Sequence, residues 1–407
     1  MYEQLAKIYY KESKDAHIKA YEKRLNGYGS IKLPLKIKPL KSNQEFSCFY
    51  VNHHELMMTY EKILKNSRTI RKKMRGLPDK AITQYIYSKL MDELVMTNEI
   101  EGIQSTRVEM KIALEAKKSK QVRFSSFVNT YASILDYGLS SQIESVEKIR
   151  EIYDTLVAQE MPEEDSLDGE LFRKSAVNVT ATTNKLLHKG IIPESAIKQQ
   201  LSDVLKFLNE YEAPMLYKIA IAHYIFGYIH PFYDGNGRTV RYISSLYLRD
   251  ELDILTSITL SYAINSYKKL YYDAFNSANN PLNKGELTMF CQAFFEILIH
   301  ASDEIIQELS EKQEKLHLLY LAIEKQKETF SEEEFECLFI IGQVEIFGSE
   351  NAGISRKELE NELNLSTYKS KAIIEKLIQE GNVKTLKKSP VVVGLSDNLI
   401  DMTHVEV

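Results

Sequence analysis

The sequence predicts a mainly α-helical protein built from several bodies, and three observations carry that prediction. Glycine and proline are scarce, 16 and 9 in 407 residues, too few turn residues for a large sheet protein. From about residue 55 onward, apolar residues recur with helical spacing. The length suits two to four domains at about 150 residues each. Composition is otherwise ordinary, 44% hydrophobic and 27% charged, which argues against extensive disorder.

The elements follow in chain order. Residues 31–51 read LPLKIKPL and then FSCFYV, short extended pieces marked by proline, β-branched and aromatic residues. In residues 81–97, Ile82, Tyr85, Ile86, Leu90, Leu94 and Val95 share one face of an amphipathic helix. Its end, Thr97 to Gly102, carries a glycine suited to a helix C-terminus. Residues 193–209 open with proline and acid and place Ile197, Leu201, Val204, Leu205 and Leu208 on one face. Residues 215–229, MLYKIAIAHYIFGYI, form a strongly apolar helix. Residues 303–335 read as a charged helical connector. Near the end, Ser355 and Glu358 form a capping box. Ser366 caps a second helix that runs to Gly381, and VKTL, KKSP and VVVGL read as a hairpin. Helix, turn, helix, hairpin resembles a winged helix-turn-helix. The expected bodies are a basic region 1–80, a central core 81–302, a connector 303–345 and a small α/β domain 346–407.

The formal net charge of −5 conceals an asymmetry, because residues 1–100 hold 19 Lys+Arg against 11 Asp+Glu. The excess is densest at Lys62, Lys65, Arg68, Arg71, Lys72, Lys73 and Arg75. It reads either as a solvated helix face or as a patch for an acidic partner. The last 62 residues show no such excess, 8 basic against 9 acidic, so DNA is not the favoured partner of the small domain. Lys369, Lys371, Lys387 and Lys388 still offer a local patch. Cys48, Cys291 and Cys337 are far apart in sequence, which excludes a disulfide framework and a cysteine zinc site and suits a reducing compartment. No signal peptide and no run of about 18 apolar residues is present, so a cytoplasmic protein without membrane contact is expected.

One string carries chemistry: His230-Pro-Phe-Tyr-Asp-Gly-Asn-Gly-Arg-Thr-Val-Arg241. It follows the apolar helix, and Pro231 breaks that helix. Gly235, Asn236 and Gly237 can turn several N–H groups inward, and the chain then resumes as a helix, so an anion site is expected at its N-terminus. Arg238 and Arg241 share a helical face and can both reach that site. Asp234 is a hard oxygen ligand suited to Mg²⁺. His230 is a group able to take a proton near neutral pH. Together these residues describe phosphoryl or nucleotidyl transfer.

The string resembles the Fic family signature HPFxDGNGRxxR at all nine fixed positions, a coincidence on the order of 10⁻¹² per start site by chance. The likeness extends over residues 90–300. It implies a Fic helical core with a β-hairpin flap and AMP transfer from Mg²⁺-ATP to a Ser, Thr or Tyr hydroxyl of a target protein. His230 would then be the base and Asp234 would hold Mg²⁺. The Gly235–Gly237 backbone and Asn236 would stabilise the α-phosphate, Arg238 would bind the pyrophosphate portion and Arg241 the γ-phosphate. Phe232 would anchor the loop in the core. Related Doc proteins carry lysine at the position of Gly237 and phosphorylate instead, so Gly237 favours AMP transfer. Tyr271, Tyr272 and Asn279 sit where relatives contact adenine. The target would pair with the flap near residues 177–192. Thr97 to Gly102 resembles the family's inhibitory motif [ST]xxxE[GN], which implies that Glu101 pairs with Arg241 and blocks γ-phosphate placement. Removal of AMP with Glu101 aligning a water is one alternative. A DNA-binding regulator acting through the small domain is the other. A homodimer is left open. His223 is expected as a core histidine with a satisfied nitrogen. His188 is expected on or near the flap, in a structural role or positioning the target. Tyr233 offers a site for self-modification.

Overall fold

The computed structural model describes residues 2–116, 122–157, 166–180, 186–326, 328–349 and 352–401. It is mainly helical with small β-hairpins, as expected. The chain groups into two units, Met1–Ser67 with Met91–Ser302, and Arg68–Leu90 with Asp303–Val407. Among the described residues, no helix is long and apolar enough to cross a membrane.

In the first unit, β1 (Ser30–Ile37) and β2 (Phe46–Val51) form an antiparallel hairpin, the two extended pieces read from the sequence. Its inward positions Leu33, Leu35 and Ile37 alternate with exposed ones, as a strand with one buried face requires. Helix α1 (Asp79–Ile100) ends in a Schellman motif. The Gly102 N–H bonds the Glu99 carbonyl, and the Ile103 N–H bonds the Asn98 carbonyl at 2.9 Å. This requires the positive φ of Gly102, +77°, which glycine adopts without steric penalty. Helix α2 (Val146–Leu156) is capped by Ser145. Strands β3 (Asn178–Thr180) and β4 (Leu186–Lys189) pair antiparallel, with Val179 opposite His188. Residues 181–185, the middle of the expected docking segment, lie outside the described residues.

Three further helices build the centre of this unit. Helix α3 (Glu194–Glu210) starts after Pro193 and buries Ile197, Leu201, Val204, Leu205 and Leu208, the stripe that the sequence predicts. Helix α4 (Met215–Ile229) buries thirteen of its fifteen residues. A helix apolar all round belongs inside a core, and α4 packs against both α3 and the following helix α5 (Asn236–Glu251). Helices α6 (Leu260–Ser266) and α7 (Lys268–Ala278) follow.

In the second unit, residues 303–335 are not one connector. Helix α8 (Thr288–Glu324) ends at Glu324, and α9 (Glu332–Phe347) starts afresh with a Ser331/Glu334 capping box. Leu319, Ile323 and Phe330 are buried in a core with Leu338 and Ile341 of α9, so the segment is packed and does not merely link. A short strand β5 (Ile354–Ser355), helices α10 (Arg356–Glu362) and α11 (Thr367–Gln379), and strands β6 (Val383–Lys388) and β7 (Val391–Leu395) complete it. The sheet order is β5-β7-β6. The Ser355/Glu358 capping box and the Ser366 cap occur where the sequence puts them. Ile373, Ile374 and Leu377 of α11 close the core together with Val383 and Val393.

Candidate active site

The loop that joins α4 to α5 is built from its own side chains. The Asn236 side chain accepts from the Phe232 N–H at 3.0 Å and donates to the Phe232 carbonyl at 2.9 Å. These bonds engage the amide oxygen and one of the two amide N–H groups in closing the loop. Phe232 is fully buried and stacks on Tyr153 at 3.8 Å between ring centroids, in the anchoring role expected of it. Gly235 has φ +74°, and a Cβ there would overlap Val157, so this position takes glycine for both conformation and space. The N–H groups of Asn236, Gly237 and Arg238 open α5 and belong to the donors that a helix leaves unpaired. They give the loop its anion-binding end.

His230 stands at the end of α4 with φ 53° and ψ 63°, a left-handed conformation uncommon for a residue with a side chain. Its ring hydrogen-bonds the Gly227 carbonyl. That bond fixes the N–H on one ring nitrogen and leaves the other as the basic atom. Burial first, then the nearby Arg173 and His188, push its pKa down to about 4 against the pull of the Gly227 bond and Glu101. His230 is therefore neutral at pH 7 and able to accept a proton. Asp234 is partly exposed and accepts no hydrogen bond from another described residue.

Arg241 is 1% exposed, and among the described residues its hydrogen bonds go to α1 and its end. Its Nε donates to the Thr97 hydroxyl at 3.0 Å. Its Nη2 donates to the Thr97 carbonyl at 3.0 Å and to Glu101 at 2.8 Å. Burial opposes the Arg241 charge, and Glu101 more than offsets it, so its pKa rises. Gly237 lies against this pair: a Cβ there would overlap Glu101 Oε1 and come within 2.6 Å of Arg241 Nη1. Arg238 is fully enclosed.

The expected adenine contacts divide. Tyr271 and Tyr272 lie close enough to Glu101 and Arg241 for those charges to act on their hydroxyls. Tyr272 is 46% exposed. The Tyr271 hydroxyl is held by His223 at 2.7 Å, and the other His223 nitrogen meets Ser244 at 2.8 Å. His223 is thus a core histidine as expected, with burial pushing its pKa down to about 3. The Asn279 amide oxygen accepts from the Tyr224 hydroxyl at 2.8 Å, so that oxygen is already engaged by the protein. His188 is buried and its ring meets the Tyr228 carbonyl at 2.5 Å, which favours its structural role over target positioning. Tyr233 donates to Asp168 at 2.9 Å and accepts from the Ser175 N–H at 3.1 Å.

Sequence reasoning missed Glu93. It lies one and two helical repeats before Thr97 and Glu101 on the same face of α1 and is 0% exposed. It accepts the N–H groups of Ser261, at 2.7 Å, and Tyr262, at 3.1 Å, and so ties α1 to α6. An acid between Leu90 and Leu94 on an apolar face was the signal available. Burial pushes its pKa up to about 7, against its hydrogen bonds to Ser261 and Tyr262 and the Arg241 charge.

Two predictions follow from this geometry. Phe232→Ala leaves a cavity beneath the loop and should cost about 3–5 kcal/mol in denaturant unfolding. Glu93 has a folded pKa raised above its model value of 4.5, so folding takes up a proton. Its stabilisation is complete below about 4.5 and is lost as pH rises through about 7. The melting temperature should therefore climb as pH falls from 8 to 6, and Glu93→Gln should flatten that slope.

Comparison with known proteins gives a family match that spans this loop. The Fic/DOC family model matches residues 143–248, which contain α2, the hairpin, α3, α4 and the His230–Arg241 loop. A Fic family protein from Desulfovibrio desulfuricans G20 superposes with a TM-score of 0.53 at 16% identity, over 85% of this chain and 97% of that one. Fic-1 from C. elegans (residues 134–508) aligns at 19% identity and a TM-score of 0.43, over 63% of this chain and 74% of that one. A Fic domain containing signaling protein from Bacteroides thetaiotaomicron VPI-5482 aligns at 16% identity and a TM-score of 0.44, over 63% and 97%. The first of these likenesses is one of overall fold. Residues 143–248 of this chain thus match the Fic/DOC family.

Proposed function

We propose that this protein transfers AMP from ATP to a hydroxyl side chain of a target protein and that Glu101 holds the reaction in check. Fic domain proteins commonly transfer AMP or other nucleotide groups to proteins, and the finer reading rests on the residues of this chain. The observation that carries it is the 2.8 Å pair between Glu101 and an Arg241 that is 1% exposed, immediately beside a helix N-terminus suited to phosphate.

In this reading the unprotonated nitrogen of His230 takes the proton of the target hydroxyl. The oxygen forms a bond to the α-phosphorus as the bond to the β-phosphate oxygen breaks, and pyrophosphate leaves with the charge. The first N–H groups of α5 hold the phosphate oxygens on which charge develops. The neutral imidazole becomes more basic as the nucleotide's negative charges arrive. Asp234 would hold Mg²⁺, which supplies charge neutralisation between the phosphates. Among the described residues no group of three His, Cys, Asp or Glu could make a metal site alone, so the remaining ligands would be phosphate and water oxygens, as Mg²⁺ prefers. Gly237 leaves room for close approach of a phosphate. The target would add an extended segment to the β3/β4 edge. Arg241 would receive the γ-phosphate only when Glu101 has moved away.

For the second unit, we read the order helix, short strand, two helices and hairpin as a winged helix that docks protein. The lysines of its helix α11 are paired: Lys371 with Glu375 of the same helix, and Lys369 and Lys376 with Glu333 and Glu334 of α9. That leaves little positive charge for a phosphate backbone.

Glu101→Gly removes a charge-assisted hydrogen bond worth about 1.5–3 kcal/mol. It should raise transfer of label from a clickable or α-³²P ATP to protein by about tenfold or more. Equal labelling of wild type and variant would sink the brake. His230→Ala should abolish transfer in either background, and mass spectrometry of the modified target should report addition of AMP.

A further inference from the structure

Helix α4 ends inside the protein, and a helix leaves its last carbonyls without intrahelical donors. Here each of six consecutive carbonyls finds one. Phe226 receives the His230 N–H at 2.9 Å and Gly227 the His230 ring. Tyr228 meets His188. Ile229 receives the Ile191 N–H at 3.0 Å and Nη2 of Arg173 at 3.3 Å. His230 receives Nε of Arg173 at 2.8 Å, and Pro231 receives the Arg173 backbone N–H at 3.2 Å. Arg173 thus serves three carbonyls in a row, and its Nη1 holds a fourth, that of Ser175, at 2.7 Å.

We propose that Arg173 is a positioning residue for the reaction, clamping the carbonyls on either side of the His230 Cα so that the imidazole is held in one pose. This rests on the reading of His230 as the base. Arg173 is 0% exposed. Its hydrogen bonds go to carbonyls at a helix C-terminus, where the negative end of the backbone dipoles compensates a buried cation. Its planar, pre-organised guanidinium donates to carbonyls of two segments at once, Ile229 and His230 on one and Ser175 on the other.

The surroundings are built for the clamp. Glu194 accepts the N–H groups of Glu170, Leu171 and Phe172 at 3.1, 2.7 and 2.9 Å. Asp168 accepts the Lys174 N–H at 2.8 Å. The loop that carries Arg173 is therefore fixed on both sides of it. A Cβ on Gly190 would overlap Nη2 of Arg173, so the clamp occupies the space a side chain would take. The charged and titratable groups facing His230 are Arg173 and His188, which disfavour its protonation, and Glu101, which favours it. Arg173 thus also helps keep the imidazole unprotonated.

The test uses full-length protein labelled with ¹³C at histidine Cε1, with His230→Ala assigning the resonance. In Arg173→Gln the His230 titration midpoint should move up by about one pH unit, towards an ordinary imidazole. In the Glu101→Gly background, Arg173→Gln should lower kcat about tenfold or more while KM for ATP stays within about twofold, and Arg173→Lys should restore the midpoint but only part of kcat. An unchanged His230 titration together with unchanged kcat would overturn the proposal. So would a loss confined to KM. The titration needs no turnover, so a shifted midpoint with no AMP transfer in any variant would sink the reaction and keep the clamp. If Arg173→Gln does not fold, Arg173→Lys decides: lowered kcat with KM kept supports the clamp, and wild-type kcat overturns it.

Discussion

A strongly apolar helix that stops inside a core must dispose of its last carbonyls, and much around the His230 loop follows from how α4 does so. With thirteen of its fifteen residues buried, α4 has no solvent at hand to take up the backbone's unpaired acceptors. The donors come from elsewhere in the chain: a histidine on the hairpin, a backbone N–H after it, and a guanidinium on the preceding loop. The same bonds that satisfy α4 therefore dock the hairpin stem beside His230. Packing and chemistry share one set of contacts here.

A second constraint acts from α1. Its three acceptors for Arg241 come from Thr97 and Glu101, and only the last is charged. If Glu101 withdraws, the Thr97 hydroxyl and carbonyl still hold the guanidinium in the same direction. The arginine would then have one Nη2 N–H free for a phosphate without reorganising, which would suit stabilisation by prepared charges. The neutral acceptors set the aim of the guanidinium, and the acid takes up one of its remaining N–H groups.

Much of this was legible in the sequence, for physical reasons that differ between elements. The limits of α4 could be read because Pro214 and Pro231 bracket the strongly apolar run 215–229, in which Lys218 and His223 are the only ionisable residues besides tyrosines. The end of α1 was read three residues short, since Asn98 and Glu99 look like solvent-facing residues. Asn98 is in fact 0% exposed, and its amide donates to Ser105 at 3.2 Å. The signature residues were found by type and spacing, yet type does not say which way an amide points. Asn236 proved to serve the loop itself, because its partner Phe232 is only four residues away and the amide closes a local ring. Arg173 left no pattern at all: it is one of two adjacent cations in GELFRKS, and its partners are backbone carbonyls, which every residue carries.

Gly237 has a consequence that reaches beyond the nucleotide. Its single hydrogen is what lets the Glu101 carboxylate settle against Arg241. Any side chain at this position competes for the volume that the acid occupies. Under the proposed function, reaction type and restraint would be coupled through this one position: a side chain there would reshape the space for a phosphate and crowd the acid in the same step.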